Sequence, residues 1–362
     1  MGRETSSLPI TAIDLFSGCG GLSFGFESSG IHTGLAIDNW PDALRTFSRN
    51  HPKSRTEHFD LGAKNLKPVM NSLTDSQIVF GGPPCQGFSI SGKRDPNDPR
   101  NLLYRGFFEV VAEVRPRVFV MENVPNLASM DGGRLIQEIE NDFQSLGYSL
   151  NRKILLASDF GVPQNRRRLI LVGTLSERTF EFPQGTSLLP EEKVTCREAL
   201  SDLPEFSLEE GSTYQTEPES NYQKLMRISS NGIFNHTITE HSEQTIRIIN
   251  LVPDGGNYKD LPLELQSTRK VNIAWTRYSS KKPSLTIDTG HRHHFHYSFN
   301  RIPTVRESAR LQSFPDSFIF EGSKTSQYKQ VGNAVPPLMA KALGDSIRQY
   351  LNDEKGNMKN AV

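Results

Sequence analysis

The chain has 362 residues, with 41 basic and 41 acidic side chains and a formal net charge of zero. That length fits one large or two modest domains, and the absence of a long apolar run excludes a membrane-spanning segment, so we expect a soluble globular protein. The polar start of the chain predicts no secretory signal. Its three cysteines are too few and too scattered for a disulfide framework, which favours a reducing, cytoplasmic setting.

The first half of the chain alternates short β-rich runs with helix-like stretches, which is the pattern of a parallel sheet covered by helices on both faces. We predict strands at Ile10–Phe16, His32–Ile37, Gln77–Phe80, Arg117–Met121 and Arg168–Val172. We predict helices at Leu22–Ser29, Asp42–Asn50, Leu102–Val114 and Arg134–Leu146. The predicted fold class is therefore α/β, with a doubly wound and mostly parallel sheet.

The alternation stops at about Leu175, and the charge then becomes uneven. Between residues 191 and 219, nine acidic residues against two basic ones predict a solvated, irregular segment. Between residues 266 and 312, nine basic residues against two acidic ones fit either an ordinary charged face or a surface for phosphates. A helix at residues 336–351 is predicted to close the chain after two prolines.

A glycine-rich turn follows the first predicted strand. It contains Gly18, Gly20 and Gly21, and Asp38 ends the second strand. Such a turn lets a ligand approach the backbone at a helix N-terminus, and the carboxylate can accept hydrogen bonds from ribose hydroxyls. The third glycine or alanine of the dinucleotide fingerprint is missing. The turn indicates a nucleoside cofactor, with an ordinary strand–helix turn as the alternative.

Reactive side chains follow the later strands. Cys85 lies in a loop of glycines and prolines after the third predicted strand, at the sheet edge where ligands bind. Glu122 follows the next strand, so a thiol and a carboxyl could serve as nucleophile and acid. The alternatives are a small buried cysteine and a glutamate that stabilises its loop. The run from Arg166 to Arg168 fits a phosphate site or a solvated run.

Taken together, six segments closely resemble the motifs of cytosine-5 DNA methyltransferases, in the same order. They are Asp14–Gly21, Pro84–Ser89, Glu122–Val124, Gln164–Arg168, Arg306–Gln312 and Gln330–Pro337. The resemblance covers nearly the whole chain except residues 175–303. It implies the fold of S-adenosylmethionine-dependent methyltransferases with a smaller, irregular target-recognition domain. The expected division is a catalytic domain at 1–178, a target-recognition domain at 179–322, and a segment at 323–362 that returns to the first domain.

The resemblance also implies S-adenosylmethionine as the cofactor. Residues at matching positions would bind it: Phe16, Gly18, Gly20, Gly21, Asp38, Asp60, Leu102 and Asn333. In that family the glycines line the methionine end, Asp38 matches the acid on the ribose, and Asp60 matches the acid at the adenine amino group.

The catalytic roles carry over in the same way. Cys85 would be the nucleophile that adds to carbon 6 of cytosine, and Glu122 would hold ring nitrogen 3 and the exocyclic amine. Arg168, together with Arg166, would hold the base and orient the thiol. The target would be a cytosine flipped out of duplex DNA, because its reacting atoms are out of reach inside the stack.

Other expectations concern the partners. The predicted DNA contacts are Ser89, Arg277, Tyr278 and Arg292. The histidine cluster at 291–294 lacks the spacing of a structural zinc site, so we expect no metal. The length resembles stand-alone bacterial modification enzymes, whose cognate restriction endonuclease acts on the same sequence without a stable complex. We expect a monomer without membrane contact.

Three other functions stay open. A relative that methylates transfer RNA typically has a different ending after Pro-Cys-Gln than Gly87-Phe88-Ser89. A catalytically silent DNA-binding regulator usually lacks the nucleophile or the cofactor glycines, which are both present in this chain. A nicotinamide oxidoreductase would leave the cysteine, glutamate and arginine segments unexplained.

Overall fold

The chain folds into two compact units in a computed structural model that describes residues 9–73, 75–84, 102–266, 275–290 and 294–360. Unit 1 comprises Met1–Leu155, Arg167–Gln184 and Ala340–Val362, and unit 2 comprises Leu156–Arg166 and Gly185–Met339. The segment expected at 323–362 is therefore divided: its first part, up to Met339, belongs to unit 2, and the rest belongs to unit 1.

In its described part, unit 1 is built on a seven-stranded sheet. The strands are β1 (Ile10–Leu15), β2 (Ile31–Asp38), β3 (Arg55–His58), β4 (Ile78–Gly81), β5 (Val118–Asn123), β6 (Ser149–Leu156) and β7 (Arg167–Thr174). Their order is β3-β2-β1-β4-β5-β7-β6. The strands from β3 to β5 in that order pair in parallel, and β7 runs antiparallel to β5. The predicted α/β class with a mostly parallel sheet is confirmed.

Helices cover both faces of this sheet. Those in the first part of the chain are α1 (Gly21–Ser28), α2 (Pro41–Asn50), α3 (Lys67–Met70), α4 (Leu102–Val114) and α5 (Arg134–Ser145). On one face, Phe26 of α1 packs on Phe80 of β4, with ring centroids 4.5 Å apart. On the other, Phe119 of β5 contacts Phe107 of α4 and Phe143 of α5. Because Phe119 pairs with the residue before Phe80, these aromatic clusters lie on opposite faces.

The order of the strands reverses at β1. The chain runs outward from β1 to β2 and β3, and then crosses to β4 on the other side of β1. Ligands of open α/β sheets bind at such a reversal, outside the carboxyl ends of the strands. The glycine turn after β1 and the loop after β4 both start at this point, which makes it the expected position of a site.

Strands β3 and β6 were not predicted from the sequence. Both lie at the edges of the sheet, and their residues are mostly polar and partly or fully exposed. An edge strand does not need the apolar run that identifies a buried strand. The strands and helices that were predicted begin and end within one or two residues of the observed bounds, except that the closing helix is longer.

Unit 2 has short elements and little sheet in its described part. Its helices are α6 (Cys196–Leu200), α7 (Asn221–Arg227), α8 (Glu243–Leu251), α9 (Leu263–Gln266), α10 (Val305–Leu311) and α11 (Lys324–Asn333). Two short strands, β8 (Thr276–Arg277) and β9 (His294–Phe295), pair in parallel. Helix α12 (Pro337–Asn360) starts at the end of unit 2 and continues into unit 1. The smaller, irregular second domain is what the resemblance implied.

Ion pairs are buried inside unit 2. The fully buried Arg310 donates from Nε and Nη2 to the two carboxylate oxygens of Asp316, over 2.9 and 2.7 Å. It also pairs with Asp202, which receives a second guanidinium from Arg227. Asp202 belongs to the acidic segment predicted to be solvated, and the prediction is wrong at this residue. Its carboxylate is buried because two arginines from distant helices neutralise it.

Candidate active site

The turn after β1 adopts a backbone conformation that requires glycine. Gly18 and Gly20 have positive φ values of 54° and 94°, and Phe16 also has a positive φ, of 56°. The turn is closed by hydrogen bonds from the Ser17 amide to the Ile37 carbonyl and from the Gly20 amide to the Ser17 carbonyl. Gly21 is the first residue of α1, so the N-terminus of this helix follows the turn directly.

Asp38 ties the end of β2 to this turn. Its Oδ2 accepts a hydrogen bond from the Gly18 amide, and its Oδ1 accepts one from the Trp40 amide, both over 2.8 Å. Burial raises the pKa of Asp38 above the ordinary value for aspartate, and these hydrogen bonds oppose the shift. The structure therefore brings together the glycine turn and the acid predicted for the ribose.

A buried carboxyl that the sequence analysis did not assign lies below the turn. Asp14 of β1 accepts a 2.6 Å hydrogen bond from the Ser23 hydroxyl of α1, and Thr33 of β2 donates to Ser23 over 3.1 Å. Burial raises the pKa of Asp14 well above its usual range, although the hydrogen bond from Ser23 opposes this. An acidic residue inside a mostly apolar strand was the signal in the sequence.

The remaining predicted cofactor residues lie in different places. Asp60 is exposed after β3, and its Oδ1 accepts a hydrogen bond from the Gly62 amide over 2.9 Å. Helix α4 packs closely on this turn, because a Cβ at Gly106 would overlap the Leu61 carbonyl. Leu102 is the first residue of that helix. Asn333 is exposed at the end of α11 in unit 2, and its contact with the cofactor stays a prediction.

The ends of β4 and β5 approach each other closely. A Cβ at Gly82 would stand 2.7 Å from Oε2 of Glu122, so a larger residue would displace this carboxylate. The Asn123 side chain donates to the Pro83 carbonyl over 3.0 Å and accepts from the Val124 amide. Asn123 thus fixes the chain that leads into the next loop, a role that the sequence analysis missed although the residue lies in a recognised segment. Cys85 and Ser89 in that loop lie outside the described residues.

Glu122 and Arg168 form an ion pair. Nε of Arg168 lies 2.6 Å from Oε1 of Glu122, and each side chain is 12% exposed. The pair forms because β5 and β7 are antiparallel neighbours, with Glu122 opposite Ile170 and Asn123 opposite Leu169. Two of the predicted catalytic residues are therefore adjacent, at the same edge of the sheet as the glycine turn.

Arg166 points elsewhere. It is buried in unit 2, where Nη1 donates to the Ile287 carbonyl over 3.2 Å and Nη2 donates to the Gly332 carbonyl over 2.8 Å. Gln164 supports the same segment, because its Oε1 accepts from the Ile287 amide and its Nε2 donates to Gln312. These contacts hold Arg166 within the framework of unit 2, and its part in binding the base stays a prediction. Both residues of the Arg-x-Arg pattern looked alike in the sequence, and only their partners distinguish them.

The predicted DNA contacts also differ from expectation. Arg277 is buried, and its guanidinium donates five hydrogen bonds: to the carbonyls of Val252, His296, Phe299 and Ile249 and to the side chain of Asn300. Tyr278 is also buried, and its ring stacks on His294 at 5.2 Å. Both side chains are turned into unit 2, where protein groups take their contacts, and this speaks against the predicted DNA contacts at these two positions. Arg292 lies outside the described residues.

The site suits a nucleoside cofactor. The Gly18 backbone is open, since no atom of the described residues other than its chain neighbours lies within 4 Å of the position that a Cβ would take, and the Asp38 carboxylate stands next to it. Backbone amides and a carboxylate are the groups that bind such a cofactor at a strand reversal. Among the described residues, no cluster of three or more potential metal ligands occurs, and no helix is long and apolar enough to cross a bilayer.

A glycine turn at the reversal of a doubly wound sheet, beside a paired glutamate and arginine, defines an enzyme class that uses a nucleoside cofactor. The sequence comparison narrows the class. Residues 10–349 match the family of C-5 cytosine-specific DNA methylases. Because the match covers most of the chain, the protein belongs to this family.

Known proteins agree with that assignment. The chain is 36% identical to the type II methyltransferase M1.HphI of Haemophilus parahaemolyticus over 96% of its own length and 89% of that protein. It is 35% identical to M.DdeI of Desulfomicrobium norvegicum over 98% of its own length and 93% of that protein.

Solved structures share the fold. A DNA modification methyltransferase described from an Escherichia coli prophage matches with a TM-score of 0.77 and 27% identity, over 95% of this chain and 99% of that one. The Dnmt2 methyltransferase of S. pombe matches with a TM-score of 0.61 and 18% identity, over 95% and 99% of the two chains. The second likeness concerns the fold alone.

Proposed function

We propose that this protein transfers the methyl group of S-adenosylmethionine to carbon 5 of a cytosine in a short, specific sequence of duplex DNA. It is the modification enzyme of a restriction–modification system and acts as a monomer. The observation that carries the proposal is the Glu122–Arg168 pair at the carboxyl edge of the sheet, on β5 and β7, next to β4, the strand that leads to Cys85. The named type II relatives support the choice of DNA over transfer RNA.

The glycine turn after β1 binds the cofactor. S-adenosylmethionine supplies an electrophilic methyl group when bound. The backbone from Gly18 to Gly21 lines its methionine end, and Asp38 accepts from the ribose hydroxyls while it keeps the turn closed. Asp60 is exposed and free of ion pairs among the described residues, so its second carboxylate oxygen can accept from the adenine amino group.

Cys85 acts as the nucleophile, because carbon 5 of cytosine alone is a weak one. Its thiolate adds to carbon 6, and the displaced electron pair makes carbon 5 nucleophilic enough to take the methyl group. A base then removes the proton from carbon 5, and the electron pair of that bond expels the cysteine thiolate from carbon 6. Methylated cytosine, S-adenosylhomocysteine and free enzyme result.

Glu122 and Arg168 bind the target base during this sequence. Glu122 contacts ring nitrogen 3 and the exocyclic amine, where it shares a proton as negative charge develops on the ring. Arg168 fixes the direction of that carboxylate through its Nε. Its remaining guanidinium hydrogens suit an acceptor oxygen such as the cytosine carbonyl. The base reaches both groups only when it is flipped out of the duplex.

Tritium transfer from labelled S-adenosylmethionine tests the proposal directly. Unmethylated plasmid DNA and transfer RNA are offered separately, and the DNA product is then sequenced after bisulfite treatment. We expect label in DNA alone, confined to cytosines of one short motif. Label in transfer RNA alone would contradict the substrate. Absence of label from both, with DNA binding intact, would instead support a silent regulator.

A further inference from the structure

A histidine lies directly beneath the cofactor turn. A Cβ at Gly20 would collide with Nε2 of His51 and would stand 2.8 Å from Cδ2 of Phe47. The backbone of Gly20 therefore rests on the edge of the His51 imidazole. The His51 side chain is 0% exposed, so it cannot touch a ligand itself. Whatever it contributes to ligand binding passes through the turn.

Glu27 fixes the orientation of this imidazole. Its Oε2 lies 2.8 Å from Nδ1 of His51, and its Oε1 accepts a hydrogen bond from the Ser54 hydroxyl over 3.3 Å. A carboxylate can only accept, so Nδ1 of His51 carries the hydrogen and Nε2 faces the turn. Glu27 lies near the C-terminal end of α1, and Gly20 lies just before its first residue. The His51 ring therefore contacts both ends of that helix.

Aromatic side chains hold the ring on its other sides. The imidazole lies 4.2 Å from the Phe47 ring at an angle of 31°, and the edge of Phe24 approaches it at 6.2 Å. His51 also follows α2 directly, with its amide bonded to the Phe47 carbonyl over 2.8 Å. The ring has no room to move away from Gly20, because helix α1 and helix α2 both contact it.

We propose that the Glu27–His51 pair positions the cofactor turn. The pair thereby sets the affinity for S-adenosylmethionine without contacting the cofactor. The inference rests on the proposed function, since it assigns the turn to that cofactor. The buried imidazole supports Gly20 in its left-handed conformation, with φ of 94°, and thereby keeps the amides of the α1 N-terminus aimed at the ligand.

Four variants separate this role from simple packing. His51→Ala removes the support, His51→Phe keeps an aromatic ring but loses the pairing, Glu27→Ala removes the acceptor, and Glu27→Gln keeps a carbonyl oxygen that can accept from Nδ1. The control is His32→Ala, a partly buried histidine at the opposite end of β2 from Asp38. Thermal unfolding of each variant identifies any loss of folding.

The readouts are the Kd of S-adenosylhomocysteine by calorimetry and the split between KM and kcat for methyl transfer. We expect His51→Ala to raise both Kd and KM about tenfold, with kcat at saturating cofactor within about twofold. His51→Phe and Glu27→Ala should raise Kd in the same direction, and Glu27→Gln and the control should match the wild type.

Two results would overturn the inference. One is an unchanged Kd in His51→Ala and Glu27→Ala; the other is a loss of kcat with an unchanged Kd. Failure of the proposed function looks different, because the wild-type protein itself would then neither bind S-adenosylhomocysteine nor transfer a methyl group. If His51→Ala does not fold, the comparison of Glu27→Ala with Glu27→Gln decides the matter alone.

Discussion

Glu122 and Arg168 orient each other without a bound base. One carboxylate oxygen faces the guanidinium at 2.6 Å, and the other lies against Gly82, where a Cβ would stand 2.7 Å from it. Both contacts come from neighbouring strand ends, so the carboxylate is oriented by the protein before a base binds. Such preorganised groups stabilise developing charge at little cost in reorganisation.

Replacement of Glu122 by glutamine tests that role. The amide keeps the volume but offers no carboxyl to share a proton with ring nitrogen 3, so we expect kcat to fall by about 10²-fold or more. Binding of S-adenosylhomocysteine should be unchanged. Glu109→Gln, at an exposed position of α4, is the matched control and should transfer methyl groups at the wild-type rate. Equal rates for the two variants would remove Glu122 from the chemistry.

Cys85→Ser tests the covalent step. A serine hydroxyl is a far weaker nucleophile than a thiolate at neutral pH, so turnover should be abolished while DNA and cofactor binding remain. A duplex with 5-fluorocytosine at the target provides a second readout, because fluorine on carbon 5 cannot leave as the proton does. The wild type should stay attached to this duplex in denaturing gels, and the variant should not. A variant rate close to wild type would disprove the mechanism.

At the scale of the elements, Arg277 of β8 holds several segments of unit 2 together. Arg277 caps the C-terminal end of α8 through the Ile249 and Val252 carbonyls, and it joins that helix to the carbonyls of His296 and Phe299. Its loss would leave several buried acceptors without a donor. Each such orphan costs about 1–3 kcal/mol, so unit 2 should lose about 3 kcal/mol or more in Arg277→Met.

Thermal unfolding and the salt dependence of DNA binding distinguish this role from a phosphate contact. Arg277→Met should lower Tm by several degrees, whereas Lys281→Ala, at an exposed position nearby, should leave Tm unchanged. A phosphate contact would give the opposite pattern for Arg277: an unchanged Tm and a shallower dependence of log K on log salt. That pattern would restore the original prediction.

The sequence predicted the elements around the cofactor turn better than those of unit 2, for a physical reason. The local backbone conformation requires Gly18 and Gly20, and Asp38 acts from the end of a strand. A glycine-rich turn and a strand end can both be recognised in the sequence. Arg166 and Arg277 are held by carbonyls of chain-distant segments, which local patterns do not reveal. A run of basic residues therefore resembles a surface when its members serve as internal hydrogen-bond donors.

At the scale of the molecule, the net charge of zero does not show that several charged side chains are buried on folding. Glu307 of α10 receives both Nη groups of Arg301, over 2.8 and 2.7 Å, and His296 lies 3.8 Å from it. Burial alone would raise the pKa of Glu307, but His296 and Arg301 bring it to about 2. Burial lowers the pKa of His296 to about 4, although Glu307 opposes this shift.

These pKa shifts make unit 2 sensitive to acid. Between pH 6.5 and pH 4 the unfolded chain binds a proton at His296 that the folded chain does not, so the free energy of unfolding falls as the pH is lowered. From pH 7 to pH 5 we expect a loss of about 2 kcal/mol from this residue. Below about pH 4.5, protonation of Glu307 in the unfolded chain adds to the loss.

Urea unfolding at pH 7 and pH 5 measures this loss. Trp275 is buried in unit 2, so its fluorescence in a Trp40→Phe background reports that unit alone. His296→Asn keeps an acceptor for the Ser298 and Phe299 amides but does not titrate. The variant should be less stable than its parent at pH 7 and show a smaller change to pH 5. An equal change in both would assign the acid sensitivity to other groups.

The two units are not contiguous in the sequence, and this affects when unit 1 can be completed during synthesis. Unit 1 contains the turn, the paired glutamate and arginine and the loop of Cys85, and its strands are all made before residue 184. Yet α12, which joins it through Glu354 to Arg117 and through Asp353 to Arg178, is translated after the whole of unit 2. A nascent chain therefore holds every predicted catalytic group before it can complete unit 1. Unit 1 can therefore be completed only after the whole of unit 2 has been translated.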